Sequence, residues 1–187
     1  DNDDNGVHAQ GNILLRTLAA ADIAQYSRIV STTGHVSIDT QGNFRQNADV
    51  RTEGLNNTID IKTAASLDML EGSRIVANDG DVRIQAAADI FLDNLRTGGG
   101  NIWLESLTGS IDGYKSTIIE AAGLYLDGDL GVGSASEPIA TSVSTISGRA
   151  GADGIYVLEQ NDIRVDQVEV QVNRVARNAN SINIASS

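Results

Sequence analysis

Residues 34–40 read GHVSIDT, residues 57–63 NTIDIKT, residues 80–86 GDVRIQA and residues 100–106 GNIWLES. In each segment, one central residue is flanked by two apolar residues, one on each side. The same arrangement occurs upstream at Ile13-Leu14-Leu15 and downstream at Leu124-Tyr125-Leu126, and successive copies lie 20 to 23 residues apart. A fixed interval of this length is typical of solenoid repeats, whose units stack into one continuous core. The repeat therefore decides the fold.

Each repeat divides into three short apolar segments, of which the one above is the first. The second follows about eight residues later and pairs a polar with an apolar residue, as in Asn43-Phe44 and Ser66-Leu67. The third apolar position is at Ile29, Val50, Ile75, Leu95, Ile118 and Val168. Because successive side chains of a strand point to opposite faces, each segment can send its apolar residues inward. This pattern predicts an all-β parallel β-helix of about seven to eight coils, with three strands per coil.

Glycines precede several first strands, at Gly34, Gly80, Gly100 and Gly123. We expect them at corners with positive φ, which costs glycine little. Residues 15–25 and 63–72 have some helical propensity, but they share their phase with residues 41–50, QGNFRQNADV, a poor helix former. The phase of the repeat therefore favours strands over an amphipathic helix.

The chain is predicted to form one β-helix domain over residues 11–187, after an acidic linker or loose first edge at residues 1–10. The next clear first strand after Leu124 is Ile155-Tyr156-Val157, which predicts a loop insertion near residues 128–150. The final coils would run over residues 155–175 and 181–184. The first residue is aspartate and no signal sequence is present, which suggests a processed product or a piece of a longer protein.

Composition and charge exclude several classes of function. The 187 residues carry a net charge of -12 with a pI near 4.4, so no basic patch can neutralise nucleic-acid phosphates or bind an anionic membrane surface. Cysteine is absent, which excludes disulfides and thiolate metal sites. No apolar run is long enough to span a bilayer.

The repeat openings, G-N/D/H-[IV]-x-[IL], and the S/D-[IL] second strands resemble the haemagglutination-type repeats of filamentous haemagglutinin and related giant bacterial surface adhesins. Residues 131–158, GVGSASEPIATSVSTISGRAGADGIYVL, resemble a spacer module of such proteins. The resemblance implies a right-handed β-helix, secretion to the bacterial cell surface and an adhesive or matrix role. The sequence lacks the Asn-Pro-Asn motifs of that family's secretion domain, so the resemblance implies a repeat shaft.

Stacked repeats place equivalent side chains in ladders. The outward residues of the first strands are predicted to be Leu14, Ser37, Asp60, Arg83, Trp103, Tyr125 and Tyr156. We predict that Arg83, Trp103, Tyr125 and Tyr156 form an exposed face for a ligand or partner. Two interpretations stay open: a stripe that binds glycans, or stacking between coils that only stabilises the rod.

Metal binding and catalysis have weaker support in the sequence. Calcium ligands could come from residues 1–5, DNDDN, or from Asp127 and Asp129, but neither site matches a known calcium loop. No other cofactor is predicted. Polysaccharide lyases and hydrolases also use β-helices, but 25 acidic residues place carboxylates near one another by chance, so we predict no enzymatic activity.

The two ends of the predicted rod lack capping segments. Unpaired edges there, with Ile13 and Leu15 at one end and Ile182 and Ile184 at the other, predict end-to-end self-association or continuation into a longer shaft. The leading hypothesis is therefore a structural, non-enzymatic segment of an extracellular bacterial adhesin or filament. The alternative is a β-helix that binds or cleaves carbohydrate, with surface glycans as partners of the aromatic stripe.

Overall fold

The computed structural model describes residues 6–186, and strands and turns make up this whole range. The predicted parallel β-solenoid with three strands per coil is confirmed. Residues 1–5, which include the proposed calcium ligands DNDDN, lie outside the described residues. Of the predicted linker, Val7–Ala9 forms an edge strand that pairs with Ile29–Ser31. Residues 6–186 contain no helix that is long and apolar enough to cross a membrane.

Three parallel faces run along the rod, and each coil visits them in the order first, second, third. The first face consists of β2 (Ile13–Arg16), β5 (Val36–Thr40), β8 (Ile59–Thr63), β11 (Val82–Ala86), β14 (Asn101–Ser106), the later halves of β16 (Ile118–Gly128) and β18 (Ile139–Ala150), and β21 (Arg164–Val165). The second face consists of β3 (Ile23–Gln25), β6 (Phe44–Gln46), β9 (Leu67–Met69), β12 (Ile90–Leu92), β15 (Ile111–Gly113), β17 (Gly131–Val132) and β19 (Gly154–Ile155).

The third face consists of β1 (Val7–Ala9), β4 (Ile29–Ser31), β7 (Val50–Thr52), β10 (Arg74–Ala77), β13 (Asn94–Thr97), the earlier halves of β16 and β18, and β20 (Val157–Glu159). β16 and β18 each continue from the third face onto the first without a break. The remaining strands, β22 (Gln171–Val175) and β23 (Ser181–Ala185), form an antiparallel hairpin outside the three faces.

The core is a set of apolar ladders that run the length of the rod. On the first face, the inward positions from β5 to β16 are exposed by no more than 1%: Val36, Ile38, Ile59, Ile61, Val82, Ile84, Ile102, Leu104, Leu124 and Leu126. Phe44, Leu67 and Ile90 on the second face pack against them. Since every coil covers the apolar face of its neighbours, no coil could keep this core dry alone.

The predicted interruption after Leu124 is wrong. Leu124 pairs with Ile146, and Leu126 pairs with Gly148, so the next first strand arrives at the ordinary interval. Ile155 instead lies on the second face, opposite Val132. Gly148 occupies an inward position that is apolar in the other repeats, so the sequence pattern did not reveal this repeat. β17 and β18 occupy most of the stretch that was predicted as an insertion.

The last predicted coils are also wrong, because the chain leaves the stack after β21. We call residues 168–186 the strap. It contains β22 and β23 and lies against the first face, where Val168 packs with Trp103 and Tyr125 instead of on the third face of a further coil. The third-face position assigned to Ile118 belongs to Ile119, which pairs with Leu95.

The corner glycines are required for a different reason from the predicted one. Gly34, Gly80, Gly100 and Gly123 are absent from the positive-φ glycines, which are Gly72, Gly133 and Gly154. A Cβ atom on Gly80 would lie 2.0 Å from the backbone oxygen of Asn57 in the preceding coil, and one on Gly100 would lie 2.4 Å from the oxygen of Gly80. Stacked backbones, and not local conformation, therefore exclude a side chain at Gly34, Gly80 and Gly100, whereas the atoms nearest to a Cβ at Gly123 belong to the side chains of Asn101 and Val168.

We expect the Gly80→Ala substitution to lower the free energy of unfolding by about 1–3 kcal/mol, because the new methyl group forces two coils apart. Gly11→Ala is the matched control, since a Cβ atom there meets no atom within 4 Å. Chemical denaturation of both variants measures the difference. Equal stability of the two variants would contradict the close approach of the coils.

Candidate functional site

The strap runs back along the rod, from the late coils to the first. Its backbone bonds to side chains of five successive coils: Asn101 Nδ2 donates to Glu169 O at 2.8 Å, Gln171 N to Asp81 Oδ2 at 2.7 Å, Asn173 N to Thr58 Oγ1 at 2.8 Å, Val175 N to Ser37 Oγ at 2.8 Å, and Asn12 Nδ2 to Ala179 O at 3.1 Å. The first face therefore binds an extended segment of its own chain, which lies across five coils.

The repeat itself supplies most of these side chains. Asn12, His35, Thr58, Asp81 and Asn101 all occupy the position immediately before the first inward apolar residue of a first strand. Several also accept a hydrogen bond from the backbone of the following coil: His35 N donates to Asn12 Oδ1 at 2.8 Å, Thr58 N to His35 Nδ1 at 3.0 Å, and Asn101 N to Asp81 Oδ1 at 2.8 Å. One ladder of polar residues thus serves both the stacking of coils and the docking of the strap.

His35 must be unprotonated at Nδ1, because this atom accepts a hydrogen bond in the polar ladder. Its Nδ1 accepts from the backbone of Thr58 and lies 3.1 Å from Thr58 Oγ1, which in turn accepts from Asn173 N. Burial lowers the pKa of His35 below its usual value, because desolvation disfavours the imidazolium. The neutral ring therefore connects the coil stack to the strap through Thr58.

A buried ion cluster lies beneath the strap. Asp60 is 1% exposed; Arg83 Nη1 donates to its Oδ1 at 3.0 Å, and Arg174 of the strap donates to its Oδ2. Glu105 lies 3.9 Å from Arg83 Nη2. Burial alone would lower the pKa of Arg174, but the hydrogen bond and charge of Asp60 outweigh it and raise that pKa. Asp60 therefore balances one cation from the solenoid and one from the strap.

The predicted stacking of Arg83, Trp103 and Tyr125 is present, but their exposure is not. The Arg83 guanidinium carbon lies 4.6 Å from the Trp103 ring centroid, and the Trp103 and Tyr125 rings lie 6.1 Å apart at 47°. Arg83 is only 4% exposed, and both rings are partly buried under Val168, Val170 and Val172. The strap covers the face because residues that were assigned to further coils fold back onto it.

Tyr156 does not belong to this ladder. Ser147 follows Tyr125 on the first face, whereas Tyr156 lies between β19 and β20 near the end of the rod and is 40% exposed. The assignment failed for the same reason as that of Ile155: the first strand had already occurred at Ile146. The predicted four-residue face is therefore reduced to three residues that contact the chain's own strap.

The residues predicted for end-to-end assembly lie in two separate places. Ile13 and Leu15 are in β2, the strand at the edge of the first face. Ile182 and Ile184 are in β23, and Ile184 packs against the strap valines, so neither lies on the edge of a terminal coil. The end of the stack is instead formed by β19, β20 and β21.

The arrangement around Asp127 does not favour calcium. Both of its carboxylate oxygens accept from Arg149, Oδ1 from Nε at 2.8 Å and Oδ2 from Nη2 at 2.6 Å. This bidentate bond raises the pKa of Arg149. Asp129 follows in the next turn, and no group of three potential metal ligands occurs within residues 6–186. The Arg149 guanidinium therefore neutralises Asp127 and takes one hydrogen-bond position on each of its two oxygens.

Sequence reasoning missed the strap and its contacts. Residues 168–175 read VEVQVNRV, an alternation of apolar and polar residues that is longer than the short inward pairs of the coils. This difference was the available signal for a strand outside the stack. The chain matches no known protein-family model, no curated protein and no solved structure at a significant level.

Proposed function

We propose that the chain is a structural, non-enzymatic segment of an extracellular bacterial adhesin or filament, in which it serves as a rigid shaft. The observation that carries this proposal is the unbroken parallel ladder of the first face, which joins eight strands from β2 to β21. Every interior strand of this ladder bonds a neighbour on each side. Such a rod resists bending because bending would break hydrogen bonds and open a close-packed core.

Two further features support a shaft. The strap connects successive coils through hydrogen bonds to side chains of the solenoid. The polar groups beneath the strap are therefore already engaged by the chain itself. The resemblance of the repeat openings to those of bacterial surface adhesins supports the extracellular location. Glycan binding or cleavage at Trp103 and Tyr125 would require the strap to leave, so the covered face argues against the carbohydrate alternative.

End-to-end contact is part of the same proposal. At the late end of the stack, β19, β20 and β21 each pair with a strand on one side only. Ile155, Leu158 and Val165 there are 41%, 59% and 83% exposed. Unpaired parallel edges with apolar side chains fit the first coil of a following solenoid unit.

Immunogold electron microscopy of intact cells that produce the protein tests the proposed location and role. Antibodies against the purified chain are expected to label filaments or the outer surface without permeabilisation. Labelling only after permeabilisation would overturn the extracellular role. A glycan array probed with the unmodified chain and with Trp103→Ala tests the alternative. Saturable binding that is lost in the variant would contradict a purely structural role and would support glycan binding.

A further inference from the structure

The two edges of β22 have different partners. The backbone N–H groups of Gln171, Asn173 and Val175 all donate to side chains of the solenoid. In an antiparallel strand, the N–H groups of alternate residues point to opposite edges. The N–H groups of the intervening residues, including Val172 and Arg174, therefore point to β23, which pairs with β22 along its length.

The same alternation fixes the free edge of β23. Ala176 N donates to Asn180 O, and Ser186 N donates to Val170 O, so the hydrogen-bonded pairs of the hairpin involve even-numbered residues. Ile182 and Ile184 consequently bond to β22, opposite Arg174 and Val172. The backbone groups of Ser181, Asn183 and Ala185 point the other way. No residue in the range 6–186 pairs with this outer edge.

This outer edge is directed away from the rod. One edge of β22 bonds solenoid side chains, and its other edge pairs with β23. The free edge of β23 is therefore the edge of the hairpin opposite to the solenoid contacts. Ser181, Asn183 and Ala185 are exposed, in agreement with this order, and Ile182 is 56% exposed. The backbone of this edge is therefore open to a second strand, and the Ile182 side chain also lines a cavity with Leu14 and Asp39 of the first face.

The edge also lacks the features that keep natural strand edges unpaired. Such edges usually carry charged residues, proline or a bulge. Residues 181–185 read SINIA, which contains neither charge nor proline, and the pairing with β22 is regular over all five residues. The sequence is nearly symmetric about Asn183, with an isoleucine on each side.

We propose that β23 pairs antiparallel with β23 of a second copy of this chain, about a two-fold axis at Asn183. Asn183 of one copy then faces Asn183 of the other, Ser181 faces Ala185, and Ile182 faces Ile184. The outward N–H and C=O groups of each strand meet those of its partner, and the exposed Ile182 side chain gains an apolar neighbour. The product is a four-stranded sheet with one rod at each outer edge, which joins two rods side to side. This closed pairing is independent of stacking at the rod ends, which would be open-ended.

Sedimentation equilibrium of the full chain tests the proposal. The wild-type chain is expected to form a dimer of twice its 19.6 kDa mass as the concentration rises, before any open-ended association of the rods. Asn183→Pro removes an N–H group from the outer edge only, and proline is tolerated on a free edge. We expect the dissociation constant of the dimer to rise about 10- to 100-fold, because the variant loses the central hydrogen bonds of the interface. Asn183→Lys, which places two like charges at the axis, is expected to weaken it as well.

Trp103 reports separately on the strap, since it is the only tryptophan and packs against the strap valines. Its emission is expected to be unchanged in Asn183→Pro. Ile184→Pro is the matched control: its N–H bonds β22, so this variant is expected to open the hairpin and shift the emission to the red. A wild-type chain that stays monomeric, or Asn183→Pro and Asn183→Lys variants that both dimerise as tightly as wild type, would overturn the proposal. Open-ended polymers that form without a preceding dimer, and to the same extent in wild type and both variants, would also overturn it and would indicate association at the rod ends alone.

Discussion

Replacing Asp60 by alanine is expected to lower the free energy of unfolding by about 3–5 kcal/mol, the range measured when one partner of a buried ion pair is removed. Asp60 is 1% exposed and is the acceptor for both Arg83 and Arg174. Without it, the Arg83 guanidinium stays buried with only Glu105 at 3.9 Å as a counter-ion. Arg174 loses its bond to the solenoid at the same time, so the strap is weakened together with the coil.

Asp68→Ala is the matched control for this prediction. Asp68 Oδ2 lies 3.5 Å from Arg45 Nε across neighbouring coils of the second face, in an ion pair whose two side chains are 44% and 58% exposed. Exposed pairs contribute about 0–1 kcal/mol. Urea denaturation of the two variants should therefore give clearly different midpoints. A loss below about 1 kcal/mol for Asp60→Ala would mean that the cluster is hydrated in solution.

Replacing Val172 by aspartate is expected to detach the strap. Val172 is fully buried in the cluster of strap valines against which Trp103 and Tyr125 pack, so an ionised carboxylate there would be desolvated among apolar side chains. An ionised carboxylate loses several kcal/mol of hydration on burial, and the variant also loses the apolar contacts of Val172, so the change is comparable in size to the five hydrogen bonds that hold the strap at about 1 kcal/mol each. We expect the strap to undock while the coils keep their core, so that Trp103 emission shifts to the red.

The neighbouring substitution Gln171→Asp adds a similar carboxylate on the exposed side of the same strand. It is expected to leave the Trp103 emission where it is in the wild-type chain. Circular dichroism of both variants should retain the β signal of the solenoid. If the emission of Val172→Asp were unchanged, the strap would not lie over Trp103 in solution.

The architecture was predictable from the sequence because the signal repeats. An inward pair such as Ile59 and Ile61 indicates little alone, but the same pair in successive copies fixes both the strand and its neighbours. The contact between Arg83 and Trp103 followed from that register without any further information. The register failed after Leu126, where Gly148 replaces an apolar residue, since the pattern depends on side chains that a glycine lacks.

The strap was not predictable in the same way. Its bonds join residues 68 to 167 positions apart, such as Asn101 with Glu169 and Asn12 with Ala179, and the repeat that pairs one coil with the next does not extend into the strap. The corner glycines failed for a related reason, because the atom that excludes a Cβ at Gly80 belongs to the preceding coil. In both cases the constraint comes from a segment that becomes a neighbour only after folding.

The course of the strap affects the order in which the molecule assembles and comes apart. Bonds between coils connect residues about one repeat apart and can form successively, whereas the bond from Val175 to Ser37 closes a loop of 138 residues and requires that the coils already exist. An ordinary solenoid frays from its terminal repeats, one at a time. Here the first coil is bonded to the strap through Asn12, so its opening is coupled to the release of a segment that also contacts later coils. Amide hydrogens near Ile13 should thus exchange with those of the strap as one cooperative unit, instead of as a loose end.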